Sequence, residues 1–277
     1  HECDYPPRVR DAPSVVKSRI DASASSAEID AQVQESASEG GVYRIDREAL
    51  AAAAPDVVIS QGICEVCAVD TVAVESAIEE LGLNCELVTT DPHSVGDILR
   101  DIESIGDALG RRERAAELVD ELRARIDRIA TTAAESPIEP SVAVLDWLDP
   151  PMVAGHWVPE LVELAGGEYG LADPGDASTP REWVEIRDDD PDILVAAPCG
   201  CELDQIAKNR SDLTAREGWS SLRAVRMNRA YAMDGHNLTN RPGPRVVETL
   251  ETLAALLQPE HFDVPEPWMA TSLPELG

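Results

Sequence analysis

Apolar residues fall into two kinds of run along the chain. Short continuous runs such as Val57-Val58-Ile59 and Ile193-Leu194-Val195 alternate with stretches in which apolar positions recur every three or four residues. Continuous runs predict strands covered on both faces of a parallel sheet, and the wider spacing predicts amphipathic helices. Helices are predicted over 24–39, 50–54, 70–81 and 95–109, with a short element over 42–45 and strands over 56–60 and 85–89. A second set follows, with strands over 142–146, 193–197 and 230–233 and helices over 158–165, 181–186, 213–220 and 244–257. This alternation predicts an α/β fold with parallel sheets.

Between the two sets, residues 111–135 form a charged stretch in which Ala115, Leu118, Val119, Leu122, Ile126 and Ile129 keep helical spacing. At 1.5 Å per residue it would span roughly 35 Å, more than a crossover inside one small lobe requires. Pro137 and Pro140 end it. The chain is therefore expected to have two parallel-sheet lobes, residues 1–110 and 137–277, joined by a single long helix over 111–136. The proline-rich tail over 264–277 is expected to be loosely ordered.

Charge narrows the picture. Fifty-three acidic residues oppose 23 basic ones, for a net charge of −30. Nucleic acid is not expected as a partner for such a chain. The acids are spread over the whole length, and their repulsion would be screened in molar salt, where the Debye length is about 3 Å. A halophilic protein is expected. No stretch approaches the ~18 consecutive apolar residues of a membrane helix. An extracytoplasmic, membrane-associated location is expected if residues upstream of His1 carry a signal or lipid anchor, and a cytoplasmic one otherwise.

In open parallel sheets ligands sit outside the carboxyl ends of the strands. The loops expected there are Gln61-Gly62-Ile63-Cys64-Glu65-Val66-Cys67, Trp147 to Trp157, Pro198-Cys199-Gly200-Cys201 and Asp234-Gly235-His236-Asn237. Aromatic faces with a few polar groups suit a bulky, flat, partly apolar ligand. His156 can serve as an axial ligand to cobalt or iron while Trp157 stacks on a macrocycle, or it can be a plain loop histidine facing water. Cys64 and Cys67 form a single C-x-x-C. They are buried thiols, a Zn or Fe site completed by Cys199 or Cys3, or a redox pair. Cys85 and Trp219 read as core. Nucleophile elbow, P-loop, zinc-protease and Rossmann glycine motifs are absent, so no enzyme is expected and no cofactor is required.

The opening His1-Glu2-Cys3-Asp4-Tyr5-Pro6, the stretch Pro55 to Gln61 running into Cys64-x-x-Cys67, Ala197-Pro198-Cys199-Gly200, and Asn240-Arg241-Pro242-Gly243-Pro244-Arg245 resemble the cobalamin-binding branch of class III substrate-binding proteins of ABC importers. The resemblance covers nearly the whole chain, although the strand and helix that usually precede the first motif are missing. It implies a helical-backbone receptor that holds a corrinoid or related metal chelate between its lobes and docks on importer membrane subunits. Ligand contacts are expected from Tyr5, Trp147, His156, Trp157, His236, Asn240 and Arg241. Glu182 resembles the second-lobe carboxylate that meets importer arginines, or is one more surface acid. Alternatives are a siderophore or haem binder, a cysteine-based metal or redox protein on the same fold, and a sensing module without an importer.

Overall fold

The computed structural model describes residues 3–37, 41–62, 69 and 71–275. The chain forms two α/β units, the first made of residues 1–91 and 104–113 and the second of 92–103 and 114–277.

In the first unit β1 (Val16–Ser18) pairs antiparallel with β2 (Tyr43–Ile45), bracketing α1 (Ser26–Ala37). Helix α2 (Arg47–Ala53) starts where the Asp46 carboxylate accepts the Ala49 N–H, a side-chain cap that satisfies one of the helix's orphan donors. Strand β3 (Val57–Gln61) then pairs parallel with β4 (Glu86–Thr90), with α3 (Thr71–Glu80) as the crossover. Ile59 of β3 is 50% exposed, so the expected cover on both faces is not found. Cys85 lies just before β4 and is half-buried, where a core position was expected. Helices α4 (Val95–Ala108) and α5 (Arg112–Ala133) follow. Ala115, Val119, Leu122, Ile126, Ile129 and Ala133 of α5 are buried at the predicted spacing.

The second unit holds the larger sheet, of order β10-β9-β8-β5-β6-β7. Its centre is parallel: β5 (Val142–Leu148), β8 (Ile193–Ala196) and β9 (Ala230–Met233). Its edges are antiparallel: β6 (Pro151–Val153), β7 (Thr179–Pro180) and β10 (Ala270–Ser272). The sheet is thus mixed where an all-parallel one was expected. Strand β10 comes from the tail expected to be loose. Ala270 and Leu273 are buried there, and this burial holds the segment against β9.

Helices α6 (Val158–Leu164), α7 (Trp183–Asp189), α8 (Leu203–Asn209), α9 (Ser211–Thr214), α10 (Arg223–Arg226) and α11 (Val246–Leu257) complete this unit. The helix predicted over 213–220 is broken into α9 and a 3₁₀ turn over Trp219–Ser221, because Gly218 takes a left-handed φ of 84°. Nearly every residue of α11 is buried, which makes it the central helix of the unit. Arg125 of α5 grips Glu251 of α11 through two nitrogens at 2.8 and 3.1 Å. No helix among the described residues is long and apolar enough to cross a membrane.

Candidate functional site

The parallel strands of the second unit deliver their loops to one edge of the sheet. After β8 the chain turns through Pro198-Cys199-Gly200-Cys201, and the Cys199 N–H donates to the Asp146 carbonyl at 2.9 Å. After β9 the N–H groups of Gly235 and His236 both donate to the Cys201 carbonyl, at 3.0 and 3.2 Å. The two loops approach so closely that a Cβ on Gly235 would stand 2.1 Å from the Pro198 carbonyl oxygen. Only glycine fits such an approach.

Asp234 is buried, and its carboxylate accepts both the backbone N–H of Asn237 at 2.7 Å and its side-chain amide at 2.9 Å. These bonds wind Gly235–Thr239 into a π-helical turn. That turn sets His236, Asn240 and Arg241 side by side. Arg241 Nε donates to the His236 carbonyl at 2.7 Å, and a terminal guanidinium nitrogen lies 2.8 Å from His236 Nε2. A guanidinium only donates, so Nε2 is the acceptor in this pair. The Asn240 amide donates to the Gly235 carbonyl at 3.0 Å. Arg245 bonds to Asn237 Oδ1 at 3.3 Å and to Glu248 at 3.1 Å, and it stands 5.6 Å from the Trp268 ring. The edge therefore gathers guanidinium, imidazole and amide groups, a donor set suited to anionic oxygen atoms.

Three of the expected ligand contacts, His236, Asn240 and Arg241, are thus neighbours. Trp157 joins them differently from the expectation. It is only 6% exposed, at the start of α6, and its indole N–H donates to the Thr239 carbonyl at 3.0 Å. Burial leaves it no open face for stacking on a macrocycle; it braces the π-helical turn instead. Trp147 lies on β5 and not in the following loop, half-buried, with its indole N–H on the Asp149 carbonyl at 3.2 Å.

His156 occupies the turn between β6 and α6 with a left-handed φ of 54°. Its N–H donates to the Asp176 carbonyl at 2.5 Å, and its carbonyl accepts from Gly175 at 2.9 Å. Gly155 makes this possible, since a Cβ there would stand 2.2 Å from the Asp176 oxygen. The phenol of buried Tyr169 reaches the Ala154 carbonyl at 2.7 Å, and its pKa is pushed well above the usual phenol value by burial.

Tyr5 belongs to the first unit and is 56% exposed. Cys64 and Cys67 lie outside the described residues. Cys199 is half-buried and Cys3 exposed, both as free thiols. Among the described residues no group of three or more His, Cys, Asp or Glu side chains is placed to hold a metal ion. Glu182 is exposed before α7, where its N–H donates to Glu185 at 2.9 Å.

Sequence reasoning named Asn237 and Arg245 only as members of a loop and a motif, with no role, and passed over His93. The last stands 5.6 Å from His156 between ring centres. Its position three residues beyond β4, at a strand's carboxyl end, was the available signal.

The profile of the periplasmic binding protein family matches residues 15–236. The chain belongs to this family. Among its relatives, the uncharacterized ABC transporter substrate-binding lipoprotein YvrC of Bacillus subtilis is 25% identical over 232 residues, 80% of this chain and 68% of that protein. The fold is shared with an ABC transporter substrate-binding protein of Listeria monocytogenes, at 22% identity and a TM-score of 0.66, covering 79% of this chain and 81% of that one. It is shared also with the heme complex of Staphylococcus aureus IsdE, at 20% identity and a TM-score of 0.62, covering 78% of this chain and 81% of that one. The α/β bilobal architecture expected from the alternation of strands and helices is thus that of the family.

Proposed function

We propose that this protein is the substrate-binding component of an ABC importer and that it binds a metal chelate bearing anionic arms, of the haem or siderophore class, without chemical change. The observation that carries this reading is the His236-Asn240-Arg241 cluster, held at the carboxyl edge of the second unit's sheet by Asp234 and braced by Trp157. A guanidinium fixed beside this turn matches carboxylate or hydroxamate oxygens. The family and the names of its relatives support the import role, and the heme carried by IsdE supports a flat chelate as cargo. Cys199 and its loop keep the corrinoid in view as a second reading, favoured by the cysteine-bearing motifs that resemble the cobalamin branch. Exposed Glu182 is the proposed contact to the importer's membrane subunits, on the extracytoplasmic face.

Absorbance titration with haem, a ferric hydroxamate and cyanocobalamin tests the reading. Saturable spectral change with one of the first two, weakened about tenfold or more by Arg241→Ala, is the expected outcome. Change with cyanocobalamin alone selects the corrinoid, and silence with all three sinks the chelate reading.

A further inference from the structure

A second pair of histidines stands beside Trp157. His93 and His156 face each other with ring centres 5.6 Å apart and planes 51° from parallel, and the His156 ring stands 5.9 Å from that of Trp157. Both backbones are fixed. The His93 N–H donates to the Asp97 carboxylate at 3.1 Å, Ser94 Oγ donates to the same carboxylate at 2.6 Å, and the Val95 N–H donates to Glu160 of α6 at 2.7 Å. On the other side, residues 175 and 176 clamp both backbone groups of His156. The left-handed conformation of His156 costs roughly 1 kcal/mol for a residue with a Cβ, and such strain persists where surroundings over-determine it, commonly at functional sites.

We propose that His93 and His156 form a two-imidazole site for a first-row transition-metal centre of borderline softness, such as Ni²⁺, Zn²⁺ or Cu²⁺. Imidazole is the ligand those ions share. Metal–nitrogen bonds of about 2.0–2.1 Å place two ligating rings roughly 5–6 Å apart between centres, the separation found here. No group of three donor side chains occurs among the described residues, so the remaining coordination positions go to water or to the ion's own chelator. That suits capture and release more than a structural metal, which takes four protein ligands. The chain's net charge of −30 draws cations towards it. The shared chemistry is a metal with two exchangeable positions, whether it arrives bare or in a chelate. Only the chelate arm rests on the import reading.

Calorimetric titration of the full chain with Ni²⁺, after its thiols are alkylated, tests the pair. One saturable equivalent is expected, weakened about tenfold or more by His93→Gln and equally by His156→Asn, a residue that tolerates the left-handed backbone. His261→Gln, outside both sites, should leave the affinity unchanged, and thermal unfolding shows that each variant is folded. Parallel titrations with a nickel chelate that leaves two positions open distinguish the sources. Loss of chelate binding in both variants extends the site to chelates, and its retention with Ni²⁺ binding lost assigns the pair to the bare ion. Absence of Ni²⁺ binding in the wild type, or loss in only one of the two variants, overturns the proposal even if haem or siderophore binding holds.

Discussion

Two strands of this protein are written alike and end up in different surroundings. Pro55-Asp56-Val57-Val58-Ile59 and Pro191-Asp192-Ile193-Leu194-Val195 both open on Pro-Asp and continue with three apolar residues. In β8 every residue from Ile193 to Ala196 is fully buried, whereas Ile59 of β3 is half exposed. The difference lies in the neighbours. Strand β8 lies between β5 and β9, while β3 is paired with β4 alone among the described residues. An apolar run therefore states that a strand can be covered, and topology decides whether it is. The loops follow their strands: the one after β8 is anchored to β5 by the Cys199 N–H, and its Cys201 carbonyl holds the loop after β9, which carries the candidate site.

The largest effect that could break this comparison is loss of packing. Ile193→Ala should destabilise the protein by about 2–5 kcal/mol, since it opens a cavity in a closed core. Ile59→Ala should cost under about 1 kcal/mol because half of that side chain already meets water. Urea denaturation of both variants measures the contrast, and equal losses would show β3 to be as covered as β8.

Next in size is the loop that β9 feeds. Gly235→Ala sets a methyl group against the Pro198 carbonyl, and an overpacked contact of that kind costs about 1–3 kcal/mol. Because Gly235 precedes His236, cargo affinity should fall with stability. A variant that kept both would mean that the β8 and β9 loops do not meet as closely as the structure has them.

A smaller effect distinguishes the two Pro-Asp starts. Asp192 is held below the usual carboxylate range by the Arg223 guanidinium at 2.9 Å and by Ser141. A depressed carboxyl stabilises the fold above its unfolded pKa of about 3.9. That contribution is lost as pH falls through the lower folded value. Asp192→Asn should flatten the acid limb of the stability curve below about pH 4. Identical curves for wild type and Asp192→Asn would remove Asp192 as the anchor of β8.

Much of this was legible beforehand. The strands at 193 and 230, the long helix and the central helix α11 stand close to where apolar periodicity puts them, because each buries a continuous face. Edge strands β6, β7 and β10 were not legible. They are two or three residues long and two contain proline, so their pairing comes from neighbours and not from local propensity. The site was half legible: His236, Asn240 and Arg241 follow a strand end, but the burial of Trp157 depends on Thr239, 82 residues away. His93 was passed over because Asp91-Pro92-His93-Ser94 reads as the lead into a helix, and its partner His156 is reached only through the fold.

The smallest effect concerns sulfur, where the two strand loops also invite comparison. Cys201 follows β8, is 5% exposed, and has its thiol pushed up to about 11 by burial and by the nearby Asp234 carboxylate. Only the thiolate attacks an alkylating agent or ligates a metal. At pH 8, iodoacetamide should therefore modify Cys201 at least about tenfold more slowly than exposed Cys3, as read by peptide mass spectrometry. The sign for stability follows from the same shift. A thiol whose folded pKa is raised supports the fold below the ordinary value of about 8.5 and loses that support as pH rises through about 11. Cys201→Ala should remove this alkaline loss. Rapid labelling of Cys201 would instead mean an open, ionised thiol beside Cys199, and the β8 loop would then share the metal chemistry expected of the Cys64-Cys67 pair after β3.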